Sequence, residues 1–303
     1  MFVYERGGVA LQREEKFNEM YMTNVEQRAR FKRNKYLLLD DILTPVQVRH
    51  LVEEVDACAT WVGHTDPEKK YFLHRECSLM VGKLRRNGDE GGRCGRETNT
   101  LVMNRIENVT SATPDGMIAA LALPSRSGEI RGAILADVAA QLMEEDMVLL
   151  KDKINFKQSG GGGFTAHVDE PAYFGLSSAF CTAMIAVDDA TLENGCLEVA
   201  PGVEMSWDDD TRTDTVLTSE EENALTWLPL PAKRGSAIFF TGRIPHRSAA
   251  NMSMKQRRAI FLTFNRAADG DRRSEYFDTK WNSIVPHALV GTDFAGKLMP
   301  LGE

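Results

Sequence analysis

The chain has 303 residues, 43% of them hydrophobic, and its 44 acidic and 36 basic side chains give a net charge of −8. This apolar content is enough for a substantial core and predicts a soluble globular protein. The negative charge disfavours a nucleic-acid partner, and no apolar run approaches the roughly 20 residues that span a membrane, so neither class is expected.

The N-terminus and the cysteines indicate an intracellular protein. The opening stretch, Met1–Val9, lacks the basic and then apolar layout of a secretory signal. The five cysteines are odd in number, scattered and never spaced as C-x-x-C, so neither a disulfide framework nor a zinc ribbon is indicated. We therefore expect a cytoplasmic protein with free thiols.

Helical patterns dominate the first half of the chain. The charged first forty residues, including Arg28–Arg33, predict a solvated helix or arm. Thr44 followed by Pro45 predicts a capped helix that runs to about Cys58, and apolar residues at helical spacing predict another over 130–142. Residues 82–98 are rich in glycine and charge and predict a loop or a mobile lid.

Short apolar runs separated by turn residues dominate the second half and predict strands. They are Val148–Gln158, Phe180–Val187, Gly195–Val199, Ser236–Phe240 and Arg258–Phe264. Helices followed by strands predict an α+β chain with an antiparallel sandwich or barrel. Without a linker-like break we expect one domain over 1–303, with a helical part to about 146, a barrel core over about 147–266 and an extension over 267–303.

A candidate metal site lies in the strand-rich half. His167 and Asp169 are two residues apart, so an extended chain points both side chains to one face. His246, brought from a neighbouring strand, would complete the 2-His-1-carboxylate set of non-haem Fe(II) oxygenases, which leaves the remaining ligand positions open. The H-x-D triplet alone is weak evidence, because a histidine in a strand is more often a core or surface residue.

An arginine near the third ligand adds context. Arg257 lies eleven residues after His246 and offers a permanently charged, bidentate partner for the far carboxylate of a dicarboxylic co-substrate. Ser248 offers a hydroxyl to the same group. The alternative for Arg257 is a surface arginine within the basic run Lys255–Arg258.

At these residues the chain resembles the phytanoyl-CoA dioxygenase-like family of Fe(II)/2-oxoglutarate-dependent oxygenases. The resemblance covers roughly Val148–Phe264 and rests on four blocks in the same order and at similar spacing. They are KDKINFKQSGGGGFTAHVDEPAY, MIAVDDATLENGCLEVAPG, KRGSAIFFTGRIPHRSAANMS and RRAIFLTFN. One departure is that Pro201-Gly202 is followed by Val203 and Glu204, where family members often continue with Ser-His.

The resemblance implies a mainly β core folded as a double-stranded β-helix, or jelly roll, with the N-terminal helices packed on one sheet. It implies Fe(II), 2-oxoglutarate and O2 as cofactor and co-substrates. By analogy His167, Asp169 and His246 are the iron ligands, while Arg257 and Ser248 hold 2-oxoglutarate. The family's turn, here Glu193–Gly195, is expected to shape the fold without touching a ligand. Because related halogenases lack the carboxylate, Asp169 favours hydroxylation.

The strand before the H-x-D triplet has polar residues at alternate positions, namely Lys151, Lys153, Asn155 and Lys157. If this strand lies in the barrel wall, its polar side faces the pocket and binds anionic groups. The alternative is a solvent-facing edge strand whose lysines prevent sheet pairing, and the sequence does not choose between the two. Asn155 and Lys157 are the better candidates for binding the co-substrate.

Further candidates carry weaker signals. Tyr173 and Phe174 follow the triplet and either wall the pocket or fill core. Arg243 and Arg247 flank His246 and either meet an acidic substrate or form rim ion pairs. Arg105, with its neighbour Asn104, is a low-ranked candidate for the pocket.

The substrate predicted by these features is a small organic molecule. The sequence around His246 and in the segment after residue 264 is similar to that of relatives that act on small polar molecules, including 2-aminoethylphosphonate hydroxylases. Natural-product oxygenases share much of this sequence, and a natural product is therefore the main alternative substrate. A non-catalytic jelly-roll binding protein and a cupin-like metal hydrolase or isomerase are further alternatives, which the complete ligand set and Arg257 disfavour.

Overall fold

The structure is a computed structural model that describes residues 21–61, 71–77, 101–123, 134–173, 175–205 and 215–280. The strands in these ranges are β1 (Tyr36–Leu39), β2 (Phe72–Cys77), β3 (Leu101–Glu107), β4 (Met147–Lys157), β5 (Phe164–His167), β6 (Phe180–Ala186), β7 (Leu197–Val199), β8 (Leu228–Leu230), β9 (Ala237–Thr241), β10 (His246–Ser248) and β11 (Arg257–Arg266). The helices are α1 (Val25–Asn34), α2 (Pro45–Ala59), α3 (Val109–Ala112), α4 (Met117–Ala122), α5 (Ile134–Met143) and α6 (Ser219–Ala224).

The strands form two antiparallel sheets. The large sheet has the order β1-β9-β6-β11-β4-β3-β2, and the small sheet has the order β5-β10-β7-β8. One apolar cluster joins Met184 and Phe240 of the large sheet to Leu197 and Val199 of the small one, so the sheets pack face to face. The predicted jelly roll is confirmed.

Helices α1 to α5 cover the outer face of the large sheet. Leu51 of α2 and Val138 of α5 belong to the same buried cluster as Ile154, Phe239 and Ile260 of the sheet. The predicted cap of α2 is confirmed, because the Thr44 hydroxyl accepts a hydrogen bond from the backbone N–H of the third helical residue. None of the described helices is both long and apolar enough to cross a membrane.

Strand β4 lies inside the large sheet, between β11 and β3. The alternative of a solvent-facing edge strand is therefore wrong. Lys151, Asn155 and Lys157 are buried on its inner face. The outer face is also buried, and its Asp152 accepts hydrogen bonds from the backbone of α3 and pairs with Arg273. A β-bulge near residue 150 ends the regular alternation.

The N-terminal stretch is less purely helical and less solvated than its composition predicts. Helix α1 forms, but its Phe31 is buried in the main core, and β1 pairs with β9 at the edge of the large sheet. Strands β2 and β3 extend the other side of the sheet, so the described residues before 147 contribute three strands. Membership of the sheet depends on pairing with distant strands, which the local pattern does not encode. The predicted lid over 82–98 lies outside the described residues, and a single domain over 1–303 stays a prediction.

Candidate metal centre and adjoining cavity

Two neighbouring strands of the small sheet bring the predicted metal ligands together. His167 is the last residue of β5 and His246 the first of β10, and the two residues face each other across this antiparallel pair. Asp169 follows two residues after His167, and its backbone N–H donates to the Gly242 carbonyl at 3.1 Å. This bond fixes the chain after β5 against the loop that leads to His246.

The three side chains share one small space. The two imidazole rings have centroids 4.1 Å apart, and His246 Nε2 lies 3.9 Å from Asp169 Oδ2. One ligand atom from each of His167, Asp169 and His246 lies within 4.8 Å of the other two. These separations allow the three groups to hold one ion.

The hydrogen bonds of the two histidines leave one nitrogen of each ring free for a metal. His167 Nδ1 lies 2.7 Å from the Thr165 carbonyl, and His246 Nδ1 lies 3.1 Å from the Ile244 carbonyl. Because a carbonyl only accepts, each Nδ1 carries the proton and each Nε2 keeps its lone pair. A backbone acceptor that fixes the tautomer in this way is typical of metal-binding histidines.

The protonation states also suit a cation. Burial lowers the pKa of His167 to about 3 and lowers that of His246, so both imidazoles are neutral at neutral pH. Burial alone would raise the pKa of Asp169, but its electrostatic interactions with His246, Lys151 and Lys153 outweigh this effect and hold the pKa at about 2. Two neutral imidazoles and one carboxylate are the forms that a metal ion binds without displacing a proton.

A cavity adjoins His167 and His246. Its apolar wall consists of Phe164, Met184, Leu197 and Phe261. Its polar wall consists of Lys153, Asn155, Arg247, Ser248 and Arg257, next to the two histidines. An apolar cavity with a few convergent polar groups is typical of a small-molecule site.

Arg257 supplies a buried positive charge at one end of this cavity. Its side chain donates from Nη2 to the Gly195 carbonyl at 3.0 Å, and its buried Nε has no hydrogen-bond partner among the described residues. No carboxylate of the described chain forms an ion pair with it. The alternative of a surface arginine is wrong, since the residue is 5% exposed.

Lys157 lies beside the cavity wall rather than in it. Its ammonium donates to Ser248 Oγ at 2.8 Å, to the Gly195 carbonyl at 3.3 Å and to the Ala249 carbonyl. Burial and the nearby Arg257 lower its pKa to about 7. With its three N–H groups directed at protein acceptors, Lys157 acts on the cavity through Ser248, so the structure does not favour the predicted direct contact with a co-substrate.

The turn at Glu193–Gly195 contributes more than the shape of the fold. The Gly195 carbonyl accepts from both Arg257 and Lys157 and so positions the two cations. Its φ of +70° and the absence of a side chain are both required, because a Cβ there would lie 2.1 Å from the Ala249 carbonyl oxygen. That the turn shapes the fold without touching a ligand stays a prediction, and the structure adds that its Gly195 carbonyl positions two cations of the site. Glycine after asparagine signals a turn and carries no sign of this contact.

The inner face of β4 adds three polar groups nearby. Asn155 lines the cavity, and its buried Oδ1 has no partner within the described residues. Lys153 also lines the cavity, and Lys151 lies deeper, 3% exposed. Burial lowers the pKa of Lys151 and lowers that of Lys153 to about 7.

The weaker candidates divide between rim and core. Arg243 pairs with Glu170 at 2.6 Å. Arg247 lines the cavity but is held by two carboxylates and by the ring of Trp227 at 4.4 Å. Tyr173 packs in a buried aromatic cluster and belongs to the core.

Three further candidate residues lie away from the metal ligands or outside the described chain. Arg105 forms an ion pair with Glu107 at 3.0 Å. Asn104 borders a second cavity beside Lys157. Phe174 lies outside the described part of the chain.

Known proteins resemble this chain in sequence. The family model described as Phytanoyl-CoA dioxygenase (PhyH) matches residues 31–259. A 2-aminoethylphosphonate dioxygenase from Uncultured bacterium HF130_AEPn_1 is 36% identical over 171 residues, 55% of this chain and 65% of that protein. A methylphosphonate hydroxylase from Gimesia maris is 40% identical over 157 residues, 52% of this chain and 60% of that protein. The match thus spans less than two thirds of either relative.

Solved structures resemble it in fold. The crystal structure of EctD from S. alaskensis with bound Fe superposes with a TM-score of 0.60 at 20% identity, covering 82% of this chain and 78% of that one. The non-heme alpha ketoglutarate dependent epimerase SnoN from nogalamycin biosynthesis gives 0.57 at 19% identity, with 80% and 82% covered. At these identities the likeness establishes the shared fold.

Proposed function

The chain belongs to the phytanoyl-CoA dioxygenase family, and from this premise we propose that it is a non-haem Fe(II)- and 2-oxoglutarate-dependent dioxygenase that oxidises a small organic substrate. Small phosphonates are the substrate class that we favour. The reaction releases succinate and CO2 and hydroxylates or otherwise oxidises the substrate.

One observation carries this proposal. Ligand atoms of His167, Asp169 and His246 lie within 4.8 Å of one another, and the two histidines line a cavity. The same cavity is lined by Arg257, a buried cation that has no ion-pair partner among the described residues. Such a cavity suits a metal ion and an anion. A keto acid with two carboxylates supplies both a chelating end and an anionic far end.

The residues fit ferrous iron. His167 and His246 present Nε2 because their Nδ1 atoms are hydrogen-bonded to backbone carbonyls, and Asp169 supplies an ionised carboxylate. The set of two imidazoles and one carboxylate is that of non-haem iron oxygenases. When bound, iron and 2-oxoglutarate supply the oxidation of a C–H bond by O2, coupled to decarboxylation of the keto acid.

The other residues position the co-substrate and exclude water. Arg257 binds the far carboxylate through its free Nε and its remaining N–H groups, and Ser248 donates its hydroxyl to the same carboxylate. Lys157 donates to Ser248 Oγ and thereby leaves the serine proton free to point into the cavity. Met184 and Phe261 form apolar wall, which keeps bulk water away from the reacting groups.

The substrate class rests on two kinds of support. The relatives named as a 2-aminoethylphosphonate dioxygenase and a methylphosphonate hydroxylase are 36% and 40% identical over the matched region. The inner face of β4 adds Lys151 and Lys153, which suit an anionic substrate. Natural-product oxygenases share the fold, but no described residue specifically favours them.

The test uses the purified full chain. Anaerobic addition of 2-oxoglutarate to the Fe(II)-loaded protein should produce the visible metal-to-ligand absorption of a chelated keto acid. Methylphosphonate and 2-aminoethylphosphonate should then stimulate succinate formation above the rate without substrate, whereas acyl compounds and simple amines should not.

Three results would change the proposal. Absence of iron binding, of the absorption band and of succinate formation would indicate a jelly-roll binding protein. Iron binding without any 2-oxoglutarate binding would indicate a metal hydrolase or isomerase. Decarboxylation stimulated only by larger, uncharged substrates would remove the phosphonate assignment and retain the dioxygenase.

A further inference from the structure

Two lysines on the inner face of β4 have no anionic partner among the described residues. Lys151 is 3% exposed and Lys153 is half-buried, and we call this pair the metal-side lysines. Within the described residues neither ammonium forms a hydrogen bond or an ion pair. Their nearest recorded partners are aromatic rings, Tyr173 at 4.5 Å from Lys151 Nζ and Phe261 at 4.8 Å from Lys153 Nζ.

These lysines lie at a different end of the cavity from Arg257. In the register of β4 with β11, Lys157 faces Arg257 and Lys153 faces Phe261. Four residues of strand separate those two levels by about 13 Å. Lys153 lines the cavity and acts electrostatically on both His167 and Asp169, so it stands on the metal side, about 13 Å of strand away from Arg257.

The carboxylates near this pair already have other partners. The two that act electrostatically on Lys151 and Lys153 are Asp169 and Glu107. Asp169 belongs to the candidate metal ligands. Glu107 forms ion pairs with Lys280 and with Arg105. When these two lysines are protonated, the metal side of the cavity therefore carries surplus positive charge.

Such a surplus is unfavourable unless something compensates it. Removing an ammonium from water without giving it an acceptor costs free energy, and an aromatic face returns only part of that cost. A fold that needed only packing at these positions would be better served by methionine or leucine. Two unpaired ammonium groups on one face of a strand are instead suited to a ligand with two negative charges.

We propose that the metal-side lysines bind the anionic head group of the substrate, and that this head group is a doubly charged tetrahedral oxyanion of the phosphonate type. The inference rests on the proposed function and assigns the residues that select the substrate. Lys153 contacts the head group from the cavity wall. Lys151 adds the second positive charge from its deeper position on the same face of β4. Arg257 and Ser248 remain the site of the keto acid.

The test compares binding of two isosteric anions by calorimetry, under anaerobic conditions, with the full chain loaded with Fe(II) and 2-oxoglutarate. Methylphosphonate carries up to two charges and methanesulfonate carries one. The unsubstituted protein should bind methylphosphonate at least tenfold more tightly than methanesulfonate. The ratio of the two Kd values should be smaller in Lys153→Met. Both Lys153→Met and Lys151→Met should weaken methylphosphonate binding by roughly tenfold to a hundredfold, the range expected for a charged hydrogen bond.

Controls separate binding from folding. Lys255→Met alters an exposed lysine and should change neither the Kd of methylphosphonate nor the melting temperature. Lys153→Arg keeps the charge and should retain most of the affinity. Both methionine variants should melt at the same or a higher temperature without ligand, because a buried unpaired charge has been removed, whereas a structural lysine would give a lower melting temperature.

The outcomes distinguish the two proposals. Unchanged methylphosphonate affinity in both methionine variants, or equal affinity for the two anions in the unsubstituted protein, overturns the lysine assignment and leaves the dioxygenase standing. Absence of 2-oxoglutarate binding to the unsubstituted protein overturns its assignment as a dioxygenase. In that case the same titration on the metal-free chain still decides whether the lysines bind phosphonate.

Discussion

Replacing Arg257 by glutamine should weaken 2-oxoglutarate binding about a hundredfold. The guanidinium is buried, its Nε has no partner in the described chain, and one Nη2 bond goes to the Gly195 carbonyl. A hydrogen bond to a charged group contributes about 1.5–3 kcal/mol, so two such bonds to the carboxylate give about 3–6 kcal/mol. Removing a cation next to Lys157 relieves repulsion and offsets part of this, which leaves about 3 kcal/mol, or about two powers of ten in Kd.

The neighbouring residue provides the matched control. Arg258 lies on the opposite face of β11, where it pairs with Asp188 at 2.8 Å and with Asp56. Arg258→Gln should lower the melting temperature and leave the Kd of 2-oxoglutarate unchanged. The assay is anaerobic titration of the Fe(II) protein, followed by the KM for 2-oxoglutarate. A Kd for Arg257→Gln within threefold of the unsubstituted protein would refute the assignment of this arginine.

Three further changes test other parts of the site and fold. Asp169→Ala should abolish tight iron binding and turnover, and full activity in this variant would defeat the metal assignment. Gly195→Ala should destabilise the protein by about 1–3 kcal/mol and raise the KM for 2-oxoglutarate, because its Cβ meets the Ala249 carbonyl at a positive φ; denaturant unfolding and kinetics measure the two effects. The backbone N–H of Ser178 lowers the pKa of Asp269 from its usual 3.8 to about 2, so its stabilisation is present above pH 4 and lost as the pH falls through 2. Asp269→Asn should therefore flatten the acid unfolding curve between pH 4 and 2, and an unchanged curve would contradict this.

Local patterns were sufficient for several features. The capped start of α2 at Thr44 depends on a side chain and a backbone N–H three residues apart, so the sequence of that turn encodes it. The common face of His167 and Asp169 follows from the two-residue period of an extended chain. Strands β4, β6, β9 and β11 correspond to runs bounded by turn residues and were predicted within a few residues.

Other features required pairing between distant segments. Strand β1 has only four residues, and its place at the edge of the large sheet depends on β9, about 200 residues away. The position of Lys157 behind Ser248, and the contact of Gly195 with two cations, both arise where three separate segments meet. No local period signals such meetings.

The sequence by itself determined which side chains can serve the chemistry, since residue type and spacing fix charge, donor atoms and the facing of neighbours along one strand. Only the tertiary structure decided which of them meet. The alternating lysines of β4 predict an edge strand and a strand of the barrel wall equally well. In the structure β4 lies between β11 and β3, so it belongs to the wall. The physical reason is that strand period is local, whereas the choice of pairing partners and of the buried face comes from packing the whole chain.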